Sequence, residues 1–213
     1  MIQQDKIISK SVLASIAISF CAYAYLLCNN QIIGALLLSL SFITCSVYNL
    51  NMFTCRVNTL SDSSDFRRLF LVLIINLLVI YLFGIIFTFS NDSIETAANN
   101  IVLNRINTNI PTIIISSTIT GFLCSVFVES ENKLKSLNFK PCYIIAVICT
   151  LAIVFADLPH CLIDMFLYSV SSETFDHFWS VLARLSLTVL FNFLGCSLFN
   201  IIANKSFMHS HID

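Results

Sequence analysis

The chain has 213 residues, is 57% hydrophobic and 11% charged, and has a mean hydropathy of +0.87. Soluble domains are about one quarter charged. These values therefore exclude an ordinary soluble enzyme, a nucleic-acid binder and a disordered regulator, and leave an integral membrane protein. The net charge of -1 implies no electrostatic partner, so the bilayer is the expected surround.

A span takes about 20 apolar residues, so the length accommodates roughly six in one transmembrane domain over 1–213. Apolar runs fall at 11–28, 32–48, 69–89, 110–128, 141–155 with a continuation at 162–170, and 178–203. Lys6, Lys10 and the Ala22-Tyr23-Ala24 triplet would also suit a signal peptide. A retained helix is favoured, because the bundle would otherwise lose a partner. The stretch 89–109, rich in Asn, Thr and Ser, reads as an external loop. Pro111 and Pro141 stand at starts of spans, where a missing N–H costs nothing.

With the N-terminus in the cytoplasm, one side holds Lys6, Lys10, Arg67, Arg68, Lys133, Lys135, Lys140 and Lys205, and the other only Arg105. That asymmetry predicts six crossings with both termini cytoplasmic, in a cell (inner) membrane. Nine cysteines without CxxC spacing read as small buried hydrophobes. No metal or cofactor is expected.

The second and fifth runs are interrupted. The second reaches Tyr48 and continues through Asn49, Asn51, Thr54 and Arg56 before its hydrophobicity ends. The fifth continues through Asp157, Pro159, His160 and Asp164. Ionisable groups at membrane depth cost about 2.5–3.5 kcal/mol each on insertion scales. Broken backbone there requires protein or a cavity to satisfy it, and Pro159 breaks a helix outright. Each break falls in the middle helix of a set of three, over about 11–89 and 110–204. Paired interruptions of this kind predict inverted repeats and a midplane site. A structural kink with internal pairing is the plainer alternative.

The residues resemble the formate/nitrite transporter family. Ile33 to Leu40 leading to Asn51-Met52-Phe53-Thr54 is similar to its second helix and Leu-Phe-Thr loop. Arg67 to Asn76 is similar to its third helix. Leu158-Pro159-His160-Cys161-Leu162-Ile163-Asp164-Met165-Phe166 resembles its fifth-helix signature, and Phe191 to Asn200 its last helix. The resemblance implies an all-α, aquaporin-like bundle of six helices with broken second and fifth helices, assembled as a homopentamer and passing small monovalent weak-acid anions such as formate, nitrite or hydrosulfide. It matches His160 to a central His, Thr54 to a loop Thr, and Met52 and Phe53 to apolar constrictions. Asp164 stands at an Asn or Asp position, and Lys140 resembles a Lys near the fifth helix. The family's Glu before the His is Pro159 here, its fourth-helix Asn falls on Gly121, and its last-helix Asn falls on Cys196.

Burying a lone ion costs far more than burying the neutral acid. A His with an unperturbed pKa of about 6.5 can shift a proton toward a passing anion. His160 is expected in that role, Thr54 as the orienting hydroxyl, and Met52, Phe53 and Leu162 as dry gates. Asp164 is expected to cap its half-helix or to hold His160 one turn back. Arg56 and Arg184 are expected to neutralise Asp157 and Asp164. A non-transporting scaffold of the same fold is the alternative function. An intramembrane enzyme is disfavoured by the lack of HExxH, GxSxG or a paired-carboxylate spacing, and an aquaporin by the lack of Asn-Pro-Ala in either break.

Overall fold

The computed structural model describes residues 2–59, 63–136 and 143–209, and among them there are helices and no strand. In chain order these are α1 (Ile2–Leu27), α2 (Gln31–Val47), the single turn α3 (Phe53–Arg56) continued by a 3-10 turn (Val57–Thr59), α4 (Ser63–Thr88), α5 (Asp92–Asn107), α6 (Ile110–Ser136), α7 (Tyr143–Phe155), α8 (Cys161–Val170), the single turn α9 (Glu173–Asp176) and α10 (Phe178–His209). Lys140 and Pro141 fall outside the described residues.

Four helices (α1, α4, α6 and α10) are long and apolar enough to cross a membrane, and α2, α7 and α8 are shorter apolar helices. Only 22% to 39% of the most apolar stretch of each long helix is buried, so large apolar side chains are left on the outside. Phe20, Phe70, Leu82, Ile115 and Leu190 are among these outward residues. A surface of this kind needs lipid against it. Phe89, Phe175 and Trp179 are each about four-fifths exposed at helix ends, as interfacial aromatics are.

Without a hydrophobic drive between helices, close approach is set by small residues. α6 and α10 cross at Gly121 and Gly195. A Cβ on Gly121 would lie 2.0 Å from the Asn192 carbonyl oxygen, and one on Gly195 2.0 Å from that of Thr118. A Cβ on Gly84 of α4 would meet the side chain of Ser169 in α8 rather than backbone. The buried serines Ser11, Ser15 and Ser19 line one face of α1, the last two bonding back to the carbonyl four residues earlier.

The stretch 89–109 is not the loop that its composition suggests. Asn91 caps α5 through the Ser93 N–H (2.9 Å), and Ile94, Ala98, Val102 and Arg105 form a buried stripe along the helix. Its C-terminal carbonyls are held by Arg184 of α10. The guanidinium donates to Arg105 O (2.7 Å), Ile106 O and Thr108 O (3.2 Å). A cation at a helix C-terminus is favourable for charge as well as for hydrogen bonding.

Candidate functional site

The two interruptions have the same backbone. α2 ends with Asn49 at φ 55° and α7 with Asp157 at φ 48°, 108 positions later. In the first, Asn49 N–H bonds Ser46 O and Leu50 N–H bonds Cys45 O. In the second, Asp157 N–H bonds Val154 O and Leu158 N–H bonds Ile153 O. Both are Schellman caps, each with a non-glycine residue in the left-handed region. Short extended segments follow, ending at Met52 (φ -90°, ψ 132°) and His160 (φ -124°, ψ 118°), after which α3 and α8 begin.

Each new helix start is secured by one buried asparagine. Asn76 of α4 accepts the Phe53 N–H at 3.0 Å and donates to Ser11 O (3.0 Å), Ser15 Oγ (2.9 Å) and Asn51 O (3.2 Å). Asn192 of α10 accepts the Cys161 N–H at 3.0 Å and donates to Ser117 O (2.8 Å) and Pro159 O (3.3 Å). Both asparagines are fully buried. Their amides supply partners for backbone groups that helix breaks leave open, where each open group would cost several kcal/mol. Sequence reading reached Asn76 as the end of the third-helix resemblance and missed Asn192. The motif alignment put the last-helix Asn on Cys196, one turn further on. Cys196 itself is buried and directs its thiol to Gly121 O (3.1 Å).

Thr54 and His160 meet where the breaks converge. Thr54 Oγ1 lies 3.4 Å from His160 Nε2, and both side chains are buried. The Phe42 ring stands edge-on to the imidazole, with centroids 5.6 Å apart. His160 Nδ1 has no hydrogen-bond partner among the described residues. Met52, Phe53 and Leu162 are buried beside this pair in sequence and belong to the apolar core. The pair thus sets an imidazole and a hydroxyl among buried apolar residues.

Two cavities border the interrupted segments. One, of about 90 Å³, is lined by Ser46, Asn49, Cys55, Arg56, Phe127 and Glu131, among others. The other, of about 30 Å³, is lined by Tyr25, Leu38, Arg105, Asp157, Asp164 and Leu167, among others. The second has room for a water molecule or two. Neither is lined by Thr54 or His160.

The ion pairs differ from the expected ones. Arg105, not Arg56 or Arg184, answers both acids. Its Nη2 pairs with Asp157 Oδ1 at 2.9 Å, its Nη1 donates to Asp157 O at 2.6 Å, and its Nε stands 3.6 Å from Asp164 Oδ1. Asn104 donates to Asp157 Oδ2 at 2.9 Å. Arg56 instead donates to Asn49 O at 3.2 Å, beside the hydrogen bond from Ser46 to Glu131. Arg184 is committed to the carbonyls of α5. Nor does the Asp164 carboxylate hold the His160 ring. The link between these residues is the backbone bond from Asp164 N–H to His160 O at 2.8 Å, and the carboxylate turns to Arg105. Arg105 was hidden from sequence reading because it stands in a polar stretch, where an arginine reads as a solvated loop charge.

No family profile and no curated protein matches the sequence. Solved structures do match its fold. An "FNT family ion channel" superposes with a TM-score of 0.72 at 12% identity, over 96% of this chain and 89% of that one. A "pentameric formate channel with formate bound" superposes with a TM-score of 0.63 at 14% identity, over 97% of this chain and 93% of that one. Both are channels rather than enzymes. At these identities the likeness is one of architecture: the chain carries the fold of the formate/nitrite transporter channels.

Proposed function

We propose that this protein is a transmembrane channel or transporter for small monovalent weak-acid anions such as formate, nitrite or hydrosulfide, coupled to protons through His160. The carrying observation is the buried Thr54–His160 contact at 3.4 Å, made between the two interrupted segments and inside an apolar core. The fold's likeness to a formate channel supports the same reading. His160 would offer a proton to the anion as it leaves water, Thr54 would orient the pair, and Met52, Phe53 and Leu162 would keep the passage dry.

The reading includes six crossings. α2 continued by α3, and α7 continued by α8, would supply the second and fifth, and the two sets of three would be inverted repeats over about 11–89 and 110–204. The matching caps and asparagine anchors support this. Both termini would be cytoplasmic in the cell (inner) membrane. Arg105, the one basic residue on the opposite side, is only 8% exposed, so it ceases to be a loop charge and the asymmetry sharpens. A homopentamer is proposed by analogy with the pentameric formate channel. Asp164 would face the passage. Lys140, outside the described residues, keeps its proposed place near the passage.

The test is flux into proteoliposomes for a panel of formate, nitrite, hydrosulfide, acetate and lactate across pH. Anion-selective flux is expected, and His160→Asn should change its pH dependence. An unchanged profile in that variant would remove the histidine from the mechanism. The buried side chains around His160 favour a second reading, a sealed scaffold of the same fold, which absence of flux for the whole panel would select.

A further inference from the structure

We propose that Asp164 is the proton-loading group of the cavity beside α5, so that an anion passes this mouth only together with a proton. The proposal rests on the transport reading above.

Asp164 is an acid held where an anion must pass. Its side chain is 2% exposed, and it lines the 30 Å³ cavity. Oδ1 faces Arg105 Nε at 3.6 Å, whereas Oδ2 has no hydrogen-bond partner among the described residues. Asp157 differs from it. Its side chain is 52% exposed, and its two oxygens take Arg105 Nη2 and Asn104 Nδ2. Asp157 is thus a satisfied carboxylate at the rim, and Asp164 the buried one with an oxygen to spare.

Charge counting then gives the gate its logic. One guanidinium faces two carboxylates, so with both acids ionised the mouth carries a net negative charge and repels an anion. A proton taken from water by Asp164 makes the group neutral and turns the open oxygen into a donor. The anion then accepts from that donor beside Arg105. At this mouth Asp164, in place of His160, transfers the proton to the anion, which regenerates the carboxylate and yields the neutral acid. The acid enters the apolar passage at far lower cost than its anion.

Among the described residues, the other elements packed on α8 bring no further charged side chain into the cavity lining. α1 contributes the phenol of Tyr25, and α8 itself those of Tyr168 and the Cys161 thiol. Arg184 of α10 is taken up by the carbonyls of α5. Glu173 of α9 pairs with His177 at 3.9 Å, and no charged side chain of α4 lines the cavity.

The experiment measures formate flux in proteoliposomes with equal pH on both sides, for wild type, Asp164→Asn and Asp164→Glu. The bulk fraction of formic acid varies alike for every protein, so the ratio of variant to wild-type flux isolates Asp164. Asparagine hydrogen-bonds but has no proton to transfer, so Asp164→Asn flux should fall severalfold below wild type both at about pH 6 and at about pH 8. Asp164→Glu keeps a titratable acid and should retain most of the flux. Asp164→Asn flux equal to wild type, or an equal loss in Asp164→Glu, would overturn the proposal and leave the transport reading standing. A wild type that carries none of the panel would overturn both. Infrared difference spectra between the two pH values supply a readout independent of flux. A carboxylic-acid band that moves in Asp164→Glu supports proton loading, and its persistence unchanged in that variant counts against it.

Discussion

Asn76 and Asn192 each place one amide among backbone groups that a continuous helix would have paired. The carboxamide suits the task because it carries an acceptor and two donors on one rigid plane. Truncation leaves the Phe53 or Cys161 N–H, and the facing carbonyls, buried and open. Asn76→Ala and Asn192→Ala should each lower stability by about 1–3 kcal/mol per group left unpaired. Thermal unfolding in detergent measures this, and a melting temperature equal to wild type would show that the amides are dispensable. The Thr54–His160 pair is different in kind. Its imidazole leaves Nδ1 open, and His160→Asn, which keeps a buried polar side chain, should change the flux.

Helices meet here through the absence of side chains as much as through their presence. At the α6–α10 crossing the backbones are so close that any Cβ on Gly121 or Gly195 would strike a carbonyl oxygen. Gly121→Ala and Gly195→Ala should each destabilise by about 1–3 kcal/mol. Size-exclusion chromatography after heating would report this as early loss of the folded peak, and no change would mean that the helices can part freely. The crossing carries Asn192 and Ser117, so separating it should also loosen the start of α8.

α5 shows where sequence reading stops. The apolar runs, the two interruptions and the Thr54, His160 and Asp164 positions were legible, because polar groups inside hydrophobic sequence stand out. A helix whose buried stripe is Ile94, Ala98, Val102 and Arg105 does not stand out when asparagines fill the intervening positions. Its pairing with Asp157 and Asp164 bridges more than fifty residues, and no local pattern encodes it. Asn192 escaped for a related reason: one asparagine in an apolar helix gives no sign of which carbonyls it faces.

At the scale of the whole molecule, the outward apolar surface and the fold's match to a pentameric formate channel bear on assembly. Chemical cross-linking in native membranes should give a ladder ending at five chains. Native mass measurement of the detergent-extracted protein should give the same number, and a monomer by both methods would sink the pentamer.

The matching caps and asparagine anchors have a consequence for directionality. Under the proposed inverted-repeat reading, a scaffold built twice would by itself treat inward and outward passage alike. Preference for one direction must then come from positions where the halves disagree. Offset by 108 residues, Met52 stands opposite His160, Thr54 opposite Leu162, and Arg56 opposite Asp164. These three mismatches place the titratable groups in one half and a permanent cation in the other. Rectification, if the protein shows it, should follow this short set of residues. Exchanging Arg56 with Asp164 should weaken or reverse it, with the caps and the asparagine anchors left intact.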